Sequence, residues 1–548
     1  GKRKIVTRLL EMWKEYDLLH LVHATQKNGR NAAHSAANFG QIKMLKMIYE
    51  HGGQELICAS DDDGWTPLHW VADSKQGKRA FVDEGAADQK LVKELKKKEI
   101  TDPAAAVAIV NFLCENGGDL DNHLLFKMNK RKRTALHLAV RFGYDGIVAA
   151  ILNHAQRIGG TKRLLEHQRA GGLLAVHDAA RMGRQTIVEL LCSPDTQVGV
   201  KTLLKPDDDG WTPLFWALAG GKSISSRKEM DSSRLLGRKQ TVEAILKYGT
   251  SKEDTEANDK LLLKHAITTD KYGITPLQLA CTTNDIDLVN LFVGQDEDAV
   301  MQGLKQQTTS APPSHISWAT NGMSSLLFAA RAGALRVLKV LCEEYHLDLF
   351  TCDAENRTAV HHASLFGNIN VLDFFVHQSK MAGALGSVSG EPHASAGAMH
   401  KLLLMKDKDE RTCLHLACDP TCHEADGATP QIISENSDET KGEFGPFRAV
   451  VARLCEVGGA HLWSQKDKDG RTALHLCALG GYVDLCKILL EWGGLELLNE
   501  TDKEGKTCLD LATAKSKTED DGRCSRVLKC LMADSSRCGL GNVTSDPK

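Results

Sequence analysis

Asp61-Asp62-Asp63-Gly64-Trp65-Thr66-Pro67-Leu68-His69-Trp70 is the stretch whose reading decides the fold, because it returns almost letter for letter as Asp207-Asp208-Asp209-Gly210-Trp211-Thr212-Pro213-Leu214-Phe215-Trp216. The acidic residues and Gly64 predict a tight turn, since glycine takes a positive φ without strain. Thr66 predicts a helix cap, its hydroxyl accepting a hydrogen bond from an orphan amide of the first turn. Pro67 suits the first helical position, where a missing N–H costs nothing. Leu68 then opens a buried face.

Weaker copies, aligned on Thr66, begin at Asn31, Thr134, Leu174, Thr275, Ser324, Thr358, Thr412, Thr472 and Thr507, which makes eleven units in all. Most continue as Leu-His-x-Ala and close on a glycine, as in Thr134 to Gly143 or Thr472 to Gly481. A second apolar helix follows, such as Ile187-Val188-Glu189-Leu190-Leu191, and then a Gly-Gly or His-Gly break. Turn, capped helix, glycine stop and second helix form a unit too small to bury its own apolar face, so the units must stack.

These units resemble ankyrin repeats, whose signature is Gly-x-Thr-Pro-Leu-His-x-Ala-Ala followed by a glycine and a Leu-Leu helix. The resemblance covers roughly residues 28 to 533. It implies an all-α fold, an α-solenoid of about eleven helix-turn-helix units with hairpin-like turns projecting from one edge. It also implies a chain that binds proteins rather than one that catalyses.

The formal net charge of −3, from 68 Lys+Arg against 71 Asp+Glu, gives no global field favouring nucleic acid or an anionic membrane. There is no run of 18 apolar residues, hence no expected membrane span in this segment. The 16 cysteines are scattered, and Cys114, Cys192, Cys342, Cys455, Cys477 and Cys486 stand where a repeat helix takes a small apolar residue. With no compact cysteine framework, a reducing compartment is expected: cytoplasmic, with nuclear or cytoskeleton-associated placement as variants.

Residues 1–27, basic at Lys2-Arg3-Lys4 and apolar at Ile5, Leu9, Leu10, Trp13, Leu18 and Leu19, read as a capping helix for the first repeat. Residues 28–533 read as the solenoid and 534–548 as a tail. Successive Thr-equivalent positions lie 35, 68, 40, 38, 63, 49, 34, 54, 60 and 35 residues apart, against a period near 33 for an uninterrupted array. Insertions are therefore expected within repeats at 73–103, 222–238 and 419–446, and between repeats near 250–268, 295–318 and 378–400. Residues 87–100 read as a solvated helix, 387–398 as flexible linker and 419–443 as acidic loop.

His34, His69, His137, His177, His361, His415 and His475 all stand at one repeat position. A catalytic histidine appears once, whereas a structural one recurs; the resemblance implies that these imidazoles bridge backbone groups of adjacent hairpins. No Ser/His/Asp or Cys/His constellation and no phosphate-binding glycine loop stands out, so no catalytic residue and no cofactor is expected. Cys413, His415, Cys418, Cys422 and His423 have spacings a zinc ion could use, but the first three occupy repeat positions. Cys418, Cys422 and His423 remain a weak metal candidate. Lys130-Arg131-Lys132-Arg133 reads as a basic hairpin tip rather than a nuclear import signal.

The remaining candidate is a surface. The resemblance implies that the residue before Thr and the two before the closing glycine line a concave groove. The first position gives Arg30, Trp65, Arg133, Trp211, Arg357, Arg411, Arg471 and Lys506; the second gives Phe39, Arg141 with Phe142, Arg181 with Met182, Arg331, and Phe366. Arginine beside large apolar side chains is enriched at protein interface hot spots. The expected function is a non-enzymatic interaction scaffold or adaptor for partner proteins. Its alternatives are a structural subunit of a large assembly and the cytosolic ankyrin arm of a larger channel or enzyme.

Overall fold

The computed structural model of the chain describes residues 2–16, 19–73, 103–193, 197–219, 232–249, 270–292, 304–305, 307–308, 322–384, 400–419, 445–518 and 523–537. Among the described residues the secondary structure is helical; two isolated β-bridges, Cys352 with Thr358 and Thr501 with Thr507, mark hairpin bases, and there is no strand. Two compact units are present, Gly1–Lys222 with Met230–Leu262, and Ser223–Glu229 with Leu263–Lys548.

Unit 1 holds five helix pairs. Their first helices are Ala32–Asn38, Pro67–Ala72, Ala135–Phe142, Ala175–Arg181 and Pro213–Ala219; their second helices are Ile42–Cys58, Pro103–Glu115, Asp145–Arg157, Gln185–Leu191 and Ser232–Gly249. Unit 2 holds six. The first helices are Pro276–Cys281, Ser325–Ala332, Ala359–Leu365, Cys413–Cys418, Ala473–Gly480 and Cys508–Thr518, and the second are Ile286–Asn290, Leu335–Glu343, Ile369–Ala384, Gly445–Gly458, Val483–Gly493 and Arg523–Arg537. The pairs are numbered below as repeats 1 to 11 in chain order.

Each repeat forms for local reasons. Thr66 sits in the extended region, its hydroxyl accepts the His69 N–H, and Pro67 opens the helix, as the motif predicts. Gly143, Gly333 and Gly481 stop their helices in the left-handed conformation at φ +77°, +72° and +74°. A first helix of six to eight residues is marginal alone, so burial must hold it. The residue two beyond the cap meets the need: Leu68, Leu136, Leu214, Leu277, Leu326, Leu414 and Leu474 are all buried. Burying each such leucine contributes about 1.5–3 kcal/mol.

The hairpins are laced in series. Asp62 donates its N–H to the Asn28 carbonyl at 3.1 Å, Lys130 to Asp63 at 2.9 Å, and Asp208 to Gly171 at 3.2 Å. In unit 2, Lys408 donates to Glu355 at 3.0 Å, Lys468 to Asp409 at 3.0 Å and Lys503 to Asp469 at 2.9 Å. Gly64, at φ +78°, is required twice over: a Cβ there would also lie 3.0 Å from Asn129 Cα and 3.1 Å from the Met128 carbonyl oxygen of the next hairpin.

The helix Lys2–Glu15 and a short 3-10 turn, Leu19–His23, precede repeat 1, with Leu10 and Val22 buried. Two helices reach several residues into stretches that the sequence reading gave to insertions. Ser232–Gly249 starts inside 222–238, and Ile369–Ala384 runs into 378–400. In the first, the backbone of Gly183 lies against Gly237, a Cβ there falling 3.2 Å from the Gly183 carbonyl oxygen. The final helix continues to Arg537, past the expected start of the tail. The expected solvated helix at 87–100 and linker at 387–398, most of the acidic loop at 419–443, and the bulk of the insertions lie outside the described residues.

Candidate protein-docking face

In repeats 2, 5 and 8 the turn aspartate organises the hairpin and then reaches into the helix behind it. Asp61 Oδ1 accepts the N–H groups of Asp63 at 3.0 Å and Trp65 at 2.8 Å, while its Oδ2 accepts the Trp70 indole N–H at 3.2 Å. Asp207 repeats this with Trp211 and Trp216, both at 2.8 Å, and Asp353 with Arg357 at 2.8 Å and the His362 imidazole at 3.0 Å. In repeat 4 the charges are exchanged. Arg169 stands where the aspartates stand, and its Nε and Nη2 donate to both oxygens of Asp178, nine residues on, at 2.8 and 2.7 Å. Burial alone would raise the Asp178 carboxyl, but the Arg169 fork outweighs it and holds the group below the usual carboxylate range.

The recurring histidines have a structural geometry. Nδ1 of His69 accepts the Thr66 backbone N–H at 3.2 Å, which places the ring proton on Nε2 for donation to the Arg133 carbonyl of the next hairpin at 2.9 Å. His34 reaches the Trp65 carbonyl at 2.9 Å, His177 that of Trp211 at 3.1 Å, His361 that of Met405 at 3.1 Å and His415 that of Arg471 at 3.1 Å. Burial pushes His69, His177, His361 and His415 down to about 4, against the weaker pull of these carbonyls, so the rings are neutral. His137 is pushed to about 3 by the same cause, and burial lowers His34 and His475 as well. Nε2 of His137 and of His475 makes no carbonyl hydrogen bond within ordinary geometry. Where repeat 6 has Gln278 instead, the amide does the same work: Oε1 accepts the Thr275 N–H at 2.9 Å and Nε2 donates to the Met323 carbonyl at 3.3 Å.

The residues read as partner-binding divide by environment. Trp211 at 1 % exposure, Arg331 at 3 % and Arg357 at 8 % present almost no surface; Trp211 stacks on Phe215 at 5.6 Å, Arg331 lies 4.0 Å over the Phe366 ring, and Arg357 Nε stands 3.7 Å from Asp407 of the next repeat. They are packing elements, because a groove position flanked by a large neighbour on each side closes over its own side chain. Arg30 similarly bridges forward, 3.6 Å from Asp61 and 4.1 Å over Trp70. Arg411 contacts Asp407 at 3.0 Å, Asp409 at 2.9 Å and Asp419 at 3.2 Å, and Arg471 contacts Asp469 at 3.2 Å. Phe39 is half-buried at the end of its helix.

A different set remains open in unit 1. Trp65, Arg133, Arg141 and Phe142 line a cleft of about 450 Å³ between repeats 2 and 3, floored by Leu138 and edged by Asp63, Asp73 and the hairpin Asn129–Arg131. Among the described residues no carboxylate lies within ion-pair distance of Arg133, Arg141 or Arg181. Arg181 lies 5.2 Å over the Trp216 ring and Met182 is 44 % exposed. Burial first, then the guanidiniums of Arg141 and Arg169, push Arg133 below its ordinary value; burial lowers Arg181 too. The motif reading passed over Arg184, whose guanidinium covers Gly143 closely enough that a Cβ there would fall 2.6 Å from Cζ. It also passed over the Arg169–Asp178 pair, which the nine-residue offset seen at Asp61/Trp70 could have exposed.

Of the weak metal candidate, Cys418 is buried in the helix Cys413–Cys418, while Cys422 and His423 lie outside the described residues. Burial pushes the Cys413 thiol up to about 12. All fourteen cysteines of the described residues are free thiols. Among the described residues no helix is long and apolar enough to cross a membrane.

Comparison with known proteins adds the following. Residues 1–101 and 445–533 match the family described as ankyrin repeats (3 copies), and residues 326–376 match ankyrin repeats (many copies). The chain is 39 % identical over 71 residues to the ankyrin repeat domain-containing protein SAT10 of Stachybotrys chartarum, 12 % of this chain and 4 % of that one. It is 25 % identical over 219 residues to the human transient receptor potential cation channel subfamily A member 1, covering 39 % of this chain but 18 % of the channel. To the probable 26S proteasome regulatory subunit p28 of Saccharomyces cerevisiae it is 25 % identical over 258 residues, 46 % of this chain and 91 % of that protein.

Proposed function

We propose that this chain, which carries ankyrin repeats, is a non-enzymatic scaffold or adaptor that captures partner proteins on the inner face of its repeats. The observation that carries this reading is the cleft of unit 1, where Trp65 and Phe142 stand beside arginines that no described carboxylate neutralises. Arginine and aromatic side chains are what interface hot spots use. Free thiols throughout the described residues support a reducing, cytoplasmic setting.

A second reading, a subunit held within a large assembly, has one observation in its favour: the likeness that spans 91 % of the probable 26S proteasome regulatory subunit p28. Cross-linking mass spectrometry on the native complex separates the two. A scaffold gives intermolecular cross-links clustered on one face of the repeats, such as at Lys130 and Lys132 beside the cleft. An assembly subunit gives them on several faces at once, and an absence of heterologous cross-links overturns both.

A further inference from the structure

The cleft between repeats 2 and 3 has a chemical bias that narrows its occupant. In the cleft Arg133 is half-buried and Arg141 exposed; the Arg141 and Arg169 guanidiniums stand near enough to act on both Arg133 and Arg181. Of the buried carboxylates nearby, Asp178 is already held in a bidentate grip by Arg169, and Asp73 edges the cleft beyond ion-pair distance of Arg133 and Arg141. A half-buried guanidinium without a counter-ion is costly, and a carboxylate is the ligand whose planar geometry the fork matches. Beside them Trp65, the buried Leu138 and the half-buried Phe142 offer an apolar lining.

The same unit disfavours a long polyanion. Asp62, Asp63 and Asp208 are exposed at the hairpin tips, so a nucleic-acid backbone running along those tips would meet carboxylates. A short segment can place its few carboxylates on Arg133 and Arg141, while the cleft's own Asp63 is already paired with Lys130 at 3.5 Å.

We infer that this cleft is a docking site for a short acidic peptide segment of a partner protein, its carboxylates held by Arg133 and Arg141 and one apolar side chain lodged between Trp65 and Phe142. The inference rests on the proposed interaction role and specifies its ligand. Carboxylate contacts would set orientation and salt dependence, and the apolar anchor would set residence time.

The test is fluorescence anisotropy on the full chain with a labelled synthetic peptide of about twelve residues, one phenylalanine flanked by glutamates on both sides. Its glutamine counterpart, a phosphoserine counterpart and a single-stranded oligonucleotide serve as competitors. The expected result is saturable binding that weakens with added salt and falls at least about tenfold with the glutamine peptide. The Arg133→Gln/Arg141→Gln variant loses binding by a similar factor, whereas Lys468→Gln, in unit 2, does not. Arg141→Gln alone, at an exposed position and checked by circular dichroism, keeps the test valid if the double variant unfolds. Equal affinity for glutamate and glutamine peptides, tight binding of the phosphoserine peptide or the oligonucleotide alone, or insensitivity to the arginine changes overturns the inference. Heterologous cross-links that map away from the cleft would do so while leaving the scaffold reading in place.

Discussion

Repeats 2 to 5 of unit 1 and repeats 8 to 11 of unit 2 share one hairpin design, yet they dispose of charge in opposite ways. In unit 2 the tips form a ladder: Lys408 meets Glu355 at 3.6 Å, Lys466 meets Glu500 at 2.8 Å, Lys468 meets Asp409, and Arg411 gathers three carboxylates. In unit 1 Lys130 meets Asp63 at 3.5 Å and Lys205 meets Glu166 at 2.8 Å. The turn aspartates of repeats 2 and 5, however, face indoles, the buried Arg169–Asp178 pair closes on itself, and among the described residues Arg133, Arg141 and Arg181 stay open. A near-neutral composition thus conceals one region that neutralises itself and another that leaves positive charge beside aromatic surface. Such a difference marks where a partner would gain most by binding.

The largest expected effect tests whether the exchanged pair holds unit 1. Asp178→Asn leaves Arg169 buried without its counter-ion and should destabilise the unit by about 3–5 kcal/mol, read by urea denaturation. In unit 2, Lys468→Ala removes an exposed partner of Asp409 and should leave the denaturation midpoint nearly unchanged. Equal losses would erase the contrast.

Acid should act on both units, through the bridging histidines. Their folded values near 4 lie below the ordinary 6.5, so the unfolded chain binds protons first. Stability is complete above pH 6.5 and declines as pH falls toward 4, by about 1.4 kcal/mol per unit for each such ring. Thermal melts of the wild type and of His177→Gln across this range check it. Gln278 shows that the amide can make the same bridge, so the variant should lose part of the acid sensitivity while keeping most stability at neutral pH.

A smaller difference separates inner from terminal hairpins. Gly64→Ala meets backbone of the following hairpin and a positive φ; Gly505→Ala meets only the φ, with nothing within 4 Å. The conformational strain is worth about 1–2 kcal/mol in each, so Gly64→Ala should exceed Gly505→Ala in a melting comparison. Thr66→Ala, which removes one cap, should cost about 1 kcal/mol by the same assay.

Much of this was legible in the letters. The repeated Thr-Pro-Leu-His block encodes turn, cap and buried face through contacts within ten residues, and those contacts recur unchanged in space. The recurrence of His34, His69 and their counterparts likewise pointed to a structural bridge. The groove was less legible, because whether Trp65 lies half-open or Trp211 closed depends on what the adjacent repeat places over it, and Arg357 reads like Arg133 until Asp407 is seen beside it.

By itself, then, the sequence determined the helical repeat and its local caps, since short-range sterics and hydrogen bonds are written in consecutive residues. Only the tertiary structure decided which arginines are neutralised and which stand open, because, beyond local pairs such as Arg169 with Asp178, pairing as at Arg30 and Arg357 is set by neighbours 30 or more residues away whose carboxylates the stacking brings near or keeps apart.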